Sequence, residues 1–191
     1  MKVYLMTVTV NDYQCAVAVN ELGKVVAVSL PSRKLKPRLN LSFLSGRREA
    51  IVKSFKTPFN ALVREVAEKL VEAFKGHPVS FNCEYSLSYL TPFVASVLNV
   101  VAKVPRGKVI SYGSVAYALG NPKASRGVGV ALSINPLPLI IPCHRVVKSD
   151  GSIGGYSYGV KIKEQLLKRE GVVVRGGFVP RSFFMRVLIN V

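Results

Sequence analysis

Residues 114–134 read SVAYALGNPKASRGVGVALSI, and the fold of the second half of the chain turns on them. They spell two short helical segments, Ser114 to Leu119 and Pro122 to Ile134. Gly120 and Asn121 join them, with Asn121 at the N-cap and Pro122 at N1, where a missing N–H costs nothing. Two helices across a tight glycine turn predict a helix-turn-helix. The second helix is rich in small residues: Ala124, Ser125, Gly127, Gly129 and Ala131. A glycine there costs about 1 kcal/mol against alanine, so the pattern predicts close approach of another backbone. Arg126 and Lys123 are its charged residues.

Downstream, residues 141–147 read Ile-Pro-Cys-His-Arg-Val-Val. A thiol with an ordinary pKa of about 8.5 is only slightly ionised near neutrality. An adjacent base or cation is the usual way to raise the thiolate fraction, and His144 and Arg145 stand next to Cys143. A buried cysteine at a strand end, with a histidine beside it by chance, is the competing reading of the pair alone. Ser149 to Tyr158 is a glycine-rich loop. A helix over Lys161 to Glu170 is predicted to bury Ile162, Leu166 and Leu167 and to stop at Gly171. Residues 172–191 are predicted to pack back as a strand and a short helix.

Upstream, Val3 to Val10, Tyr13 to Val19 and Lys24 to Leu30 alternate and are rich in β-branched residues. Turn residues separate them, so they predict an antiparallel meander. Pro31 to Arg48 reads as a basic loop. Thr57-Pro58 opens a helix whose apolar positions, Phe59, Leu62, Val63, Val66, Ala67, Leu70, Val71 and Phe74, keep a period of 3.6. Gly76 and Pro78 end it, and Val79 to Tyr85 reads as a further strand. Thr91-Pro92 repeats the helix-start signal, and Pro105-Arg106-Gly107 stops that helix. Residues 86–100 carry no charge, which predicts a buried helix and a domain boundary near residue 86. The predicted organisation is an α/β domain over 1–85, a second domain over 86–171 and a tail over 172–191.

Twenty-seven Lys and Arg against ten Asp and Glu give a formal net charge of +17 in 191 residues. The excess is spread over both halves, so it belongs to a folded surface rather than a basic tail. Such a field attracts polyanions, nucleic acid foremost. A solubility charge without a ligand is the competing reading. No apolar run reaches bilayer length and no signal sequence opens the chain. Three cysteines, Cys15, Cys83 and Cys143, are too scattered for a disulfide framework or a zinc knuckle. A reducing, cytoplasmic setting and no membrane partner are expected.

Pro142-Cys143-His144-Arg145-Val146, the upstream Ser111-Tyr112, the segment Gly120-Asn121-Pro122-Lys123-Ala124-x-Arg126 and Asn135-Pro136 together resemble the O6-alkylguanine-DNA alkyltransferases. The resemblance covers residues 91–171. It implies an α+β fold: a small ribonuclease-H-like N-terminal β-sheet with a helix, then a mainly helical winged helix-turn-helix domain. It also implies DNA repair by irreversible, single-turnover transfer of an alkyl group from O6-alkylguanine, and from O4-alkylthymine, to Cys143.

The chemistry requires a nucleophile, a base and an acid. By resemblance Cys143 is the nucleophile, and His144 is the base, acting through a water and oriented by Glu170. Tyr112 supplies a proton or hydrogen bond at the purine, and the Ser157 amide approaches O6. Asn135 ties the recognition helix to the cysteine loop, and Tyr156 belongs to the substrate site. The damaged base must leave the stack to be reached. The resemblance has Arg126 fill the vacated space, the small-residue helix lie in the minor groove, and Asn121 and Ser149 donate to phosphates. The implied partner is double-stranded DNA holding O6-alkylguanine, bound by a monomer. No cofactor and no metal are implied, since Cys15, Cys83 and His77 are too few and too far apart for a zinc site.

Singly, each residue has a plainer reading: Tyr112 as core, Arg126 as a phosphate clamp, Asn135 as a helix C-cap, Glu170 as surface charge. Their joint spacing around Cys143 favours the functional readings. One departure is Ile134, where the family has glycine before Asn-Pro; it predicts a shifted helix end and a narrower alkyl pocket. Among rivals, a non-catalytic alkylguanine sensor on the same fold would lack the cysteine. A sequence-reading regulator would want Asn, Gln or Arg along its second helix. A cysteine hydrolase would need an oxyanion hole.

Overall fold

The computed structural model describes residues 2–33, 39, 51–53 and 58–185. Its fold is mixed α/β, with a small sheet and, among the described residues, five α-helices. Packing divides the chain into two units, Met1–Leu90 with Pro136–Ile140, and Thr91–Asn135 with Ile141–Val191. The cut falls inside the uncharged stretch 86–100. The return of Pro136–Ile140 to the first unit has no mark in the sequence.

In the first unit β1 (Val3–Val10), β2 (Tyr13–Asn20) and β3 (Val25–Val28) form the expected antiparallel meander. Asn20 makes its second turn: the buried carboxamide accepts from Leu22 N at 3.0 Å and Lys24 N at 2.9 Å, an Asx turn. A fourth strand, β4 (Ile51–Lys53), pairs in parallel with β1, giving the order β3-β2-β1-β4. β2 is therefore interior, and Cys15 to Asn20 are buried on both faces. Cys15 belongs to this core, its sulfur 4.0 Å from the Ala67 carbonyl of the covering helix α1 (Asn60–Lys75).

The α1 stripe Val63, Val66, Ala67, Leu70 and Val71 is buried, each larger side chain contributing roughly 1.5–3 kcal/mol. Gly76 ends the helix in the left-handed region at φ 101°, its N–H and that of His77 taking up the last carbonyls. The expected N-cap at Thr57 lies outside the described residues, as does most of the loop 31–48. The expected strand Val79 to Tyr85 does not form. That segment makes one bridge, Tyr85 to Val25, through Val25 N–Glu84 O and Ser86 N–Val25 O. With a single bridged residue and no continuous partner edge, the segment gains too few ladder bonds to become a strand.

The second unit holds α2 (Pro92–Ala102), β5 (Ile110–Ser111), α3 (Tyr112–Ala118), α4 (Ser125–Ser133), β6 (Val146–Val147) and α5 (Val160–Arg169). Ser111 caps α3, its Oγ accepting from Ser114 N at 2.9 Å. The expected helix 122–134 divides: Pro122–Ala124 is a 3-10 turn, α4 follows it, and the Asn121 side chain makes no cap bond. The α4 glycines have neighbours inside this unit. A Cβ on Gly127 would meet the Phe93 ring at 3.3 Å, and one on Gly129 the Tyr112 ring at 3.9 Å. β5 and β6 pair in parallel, Ile110 with Val146 and Ser111 with Val147. Tyr112 follows the first of these strands, and the turn Cys143–Arg145 precedes the second. Below lies a core of Val109, Val147, Ile153 and Leu167 with Val172, Val174 and Val179 of the tail. The tail itself makes isolated bridges and a 3-10 turn, Arg181–Phe183, with residues 186–191 outside the described set.

Candidate active site

Cys143 opens a 3-10 turn held by Arg145 N donating to Pro142 O at 2.9 Å. The residue is buried, 7 % exposed, and lines a cavity of about 220 Å³ with Tyr112, Gly129, Leu132, Tyr156 and Ser157. Burial pushes the thiol pKa up. Hydrogen bonding from Asn135, the Lys163 charge and Tyr156 pull it back down, without cancelling burial. Asn135 at the end of α4 is buried, and its Nδ2 donates to Ile141 O at 3.0 Å, pinning the helix end to the approach to the cysteine.

His144 is buried, and its Nε2 lies 3.0 Å from Glu170 Oε1. Burial lowers the imidazole pKa, outweighing the opposing effect of Glu170. Glu170 also accepts from Arg145, Nε to Oε2 at 2.8 Å and Nη2 to Oε1 at 2.7 Å, while Arg145 Nη1 reaches Val104 O at 2.6 Å. Burial alone would raise this carboxyl, but the bonds and charges of His144 and Arg145 win and hold it at about 2. An ionised carboxylate can only accept, so the Nε2 of His144 carries the proton. Nδ1 is left as the acceptor, and it is buried without a hydrogen-bond partner.

Tyr112 and Tyr156 flank the cavity. Burial, then the developing charge on Cys143, raises both phenols above their ordinary value, so both are protonated donors at neutral pH. Tyr156 Oη is buried and makes no hydrogen bond of normal geometry, although it lies near enough to the thiol to lower its pKa. Ser157 is exposed at the rim, its Oγ donating to Ser133 O at 3.0 Å. A second groove of about 510 Å³ shares Tyr112, Gly129 and Gly155 with the first, and adds Arg126, Lys148 and Ser149. Arg126 is exposed there and has no ion pair among the described residues.

Of the expected site residues, Cys143, Tyr112, Tyr156 and Ser157 line the first cavity, and Arg126 and Ser149 line the open groove beside it, while His144, Glu170 and Asn135 line neither. Asn121 is exposed and lines neither. Ile134 lies at the C-cap of α4 and does not line the cavity. Among the described residues no three His, Cys, Asp or Glu side chains gather as metal ligands. His77 pairs with Glu72.

A family model for the DNA binding domain of 6-O-methylguanine DNA methyltransferase matches residues 92–172. The chain is 38 % identical over 131 residues to a methylated-DNA–protein-cysteine methyltransferase of Methanosarcina acetivorans, covering 69 % of this chain and 83 % of that one. The chain belongs to the methylated-DNA–protein-cysteine methyltransferases. A relative of the same name from Saccharolobus solfataricus is 47 % identical over 110 residues, 58 % of this chain and 70 % of its own. Among solved structures, the O6-methylguanine-DNA methyltransferase of Pyrococcus kodakaraensis is similar at TM-score 0.62 and 31 % identity, covering 89 % of this chain and 99 % of that one. OGT of Mycobacterium tuberculosis, in complex with DNA, is similar at TM-score 0.65 and 25 % identity, covering 89 % and 92 %.

Two residues of this methyltransferase site escaped the sequence reading. Arg145 is the clamp on Glu170, and only its place beside His144 hinted at a role. Lys163 has no part in the sequence reading, which places Ile162 inside. The structure instead buries Lys163 completely, with Leu166 and Leu167, and leaves Ile162 half-buried. Its Nζ donates to Val146 O at 2.6 Å and Gly155 O at 3.1 Å.

Proposed function

We propose that the chain repairs alkylated duplex DNA by moving the alkyl group from guanine O6, and from thymine O4, onto Cys143 in a single turnover. The carbon–oxygen bond breaks as the sulfur–carbon bond forms. The thiol proton passes to His144 Nδ1 through a water, and the departing purine takes a hydrogen bond or proton from Tyr112. The observation that carries this reading is the state of His144. It is held neutral by burial, its Nε2–H is committed to an ionised Glu170, and its Nδ1 is a buried acceptor one residue from the thiol. That is the nucleophile–base–orienter order of a hydrolase triad, with sulfur in place of oxygen.

The rest of the site takes supporting parts. The cavity of about 220 Å³ receives the extruded base, with Tyr156 and the Ser157 amide at its wall. Arg126, in the open groove, fills the gap left in the duplex, and Ser149 and Asn121 contact phosphates. Gly127 and Gly129 face Phe93 and Tyr112, so α4 gains packing from its small residues as well as a slim face for the minor groove. The sheet order with a parallel fourth strand supports a ribonuclease-H-like first unit, and α3 with α4 a winged helix-turn-helix in the second. The monomer acts in the cytoplasm on alkylguanine-containing DNA. The thioether formed on Cys143 has no group positioned to break it.

Duplex DNA holding a labelled O6-methylguanine, incubated with the protein, tests this. One methyl per molecule should appear on the Cys143 peptide by mass spectrometry, and Cys143→Ala should lose transfer while keeping DNA binding. Repeated turnover, or label on another residue, sinks the assignment. DNA binding with no transfer by the intact chain returns the sensor reading.

A further inference from the structure

Lys163 is the only buried lysine among the described residues. No carboxylate among the described residues pairs with it. Its ammonium rests on two carbonyls, Val146 O and Gly155 O, and lies 5.8 Å from the centre of the Tyr112 ring. Burying an ammonium on neutral acceptors alone is costly, and a leucine or methionine would fill the same stripe of α5 beside Leu166 and Leu167. The two carbonyls say where the return comes from. Val146 closes the Cys143 turn, and Gly155 lines the same cavity as Cys143.

The charges around it leave one anion to meet. Tyr112 on α3, and Tyr156 and Tyr158 on the loop, stay protonated because burial raises them all. Glu170 is neutralised by Arg145 and bonded to His144, which is itself neutral. The group that gains negative charge during the reaction is Cys143. It opens the turn that Val146 closes, and the Val146 carbonyl holds the ammonium.

We propose that Lys163 is a positioning residue of the alkyl transfer: its ammonium fixes the Gly155 wall against the Cys143 turn and supplies the positive charge the sulfur meets on losing its proton. This rests on the alkyltransferase reading above. Lys163 keeps its own proton; the thiol proton goes to His144. Once alkylated, the sulfur is a neutral thioether, and the ammonium faces no anion. Burial brings its pKa down to about 8, so the ammonium is still charged at neutral pH, where the thiol must lose its proton.

Two measurements on the full chain test this. The first is the rate of Cys143 carbamidomethylation by iodoacetamide at pH 7, followed on the Cys143 peptide, in wild type and Lys163→Met. The variant's rate, and its methyl transfer from O6-methylguanine DNA, should each fall by about tenfold or more. The second needs no variant: the wild-type carbamidomethylation rate as pH rises. It should climb about tenfold per pH unit while Lys163 stays charged, and distinctly less once the ammonium loses its proton above about pH 8. An undiminished rate in folded Lys163→Met overturns the proposal, and so does an unbroken climb of about tenfold per unit in wild type up to the thiol midpoint. Should Lys163→Met fail to fold, the wild-type profile decides alone. If both effects appear but wild type takes no methyl from DNA, the alkyltransferase reading falls, and Lys163 is left as a charge partner of Cys143 without a part in transfer.

Discussion

Replacing Glu170 by glutamine tests the orienting group and the stability of the site in one variant. The Glu170 side chain is 7 % exposed and meets one imidazole N–H and two guanidinium N–H groups. Its carboxyl falls from 4.5 to about 2 in the folded chain, and a fall of that size corresponds to about 3 kcal/mol of folding free energy. The sign follows from the depressed pKa: the contribution is complete above pH 4.5 and is lost as pH falls through about 2. The depressed His144 adds a loss of the same sign that begins higher, as pH falls below its ordinary 6.5. Glu170→Gln should therefore be less stable by about 3 kcal/mol at pH 7, part of it from leaving Arg145 unpaired and largely buried. Its stability should lack the Glu170 step below pH 4.5 and keep the His144 step. The amide cannot satisfy all three donors. With its oxygen toward His144, its NH2 meets the Arg145 Nε–H; reversed, its NH2 donates to Nε2 and forces the proton onto Nδ1, removing the base. By analogy with tautomer loss in serine triads, single-turnover transfer should slow by about 10²–10⁴-fold. Denaturant unfolding followed by circular dichroism at pH 7 and pH 3, with quench-flow transfer rates, supplies both readouts. A variant within about 1 kcal/mol of wild type that transfers at an undiminished rate would refute the reasoning.

Arg126→Ala should slow repair of duplex DNA by about tenfold or more while sparing the reaction with free O6-benzylguanine, because only the duplex must be opened; equal slowing in the two assays contradicts the extrusion role. Asn135→Ala should cost about 1 kcal/mol by removing one of the two hydrogen bonds to the Ile141 carbonyl, which keeps that of Cys143 N, and should raise the Cys143 midpoint in the iodoacetamide profile. A loss of stability with an unmoved midpoint would leave Asn135 as a tether alone. Gly151→Ala puts a Cβ 2.8 Å from the Val179 carbonyl at φ +96°, and should cost about 1–3 kcal/mol. Its melting temperature should fall while the transfer rate of the folded protein stays put, since neither cavity is lined by Gly151.

The sequence carried the parts of this molecule that repeat locally. Alternation marked the meander within a residue or two at β1 and β2, and the 3.6 period marked α1. Of the proline start signals only Thr91-Pro92 opens its helix: α1 begins at Asn60, and Asn121-Pro122 opens a 3-10 turn before α4. Cys143 and His144 stood out by adjacency, whereas Tyr112, Asn135 and Glu170 came in only with the family resemblance. Long-range pairing was not legible. β4 is three residues held in parallel by β1, and Val79 to Tyr85 has the composition of a strand but one bridge to show for it. The glycines of α4 illustrate a subtler limit, since their cost was visible and their neighbour was not: Phe93 stands more than thirty residues away in the chain.

The α5 face shows why the buried lysine escaped. Ile162 and Lys163 are adjacent in the chain and 100° apart around the helix, so either can border the Leu166–Leu167 stripe. Hydrophobicity votes for isoleucine. The vote reverses only when two carbonyls from other segments, Val146 O and Gly155 O, are brought to that position. A methylene stem that packs like an aliphatic chain, ending in three N–H donors, then suits the place better than a branched hydrocarbon. Residues of this kind answer to partners that exist only after folding. It follows that the sequence names the atoms that react more readily than the charges that bias them, and that a mutation survey of this family confined to its cysteine motif would miss Lys163.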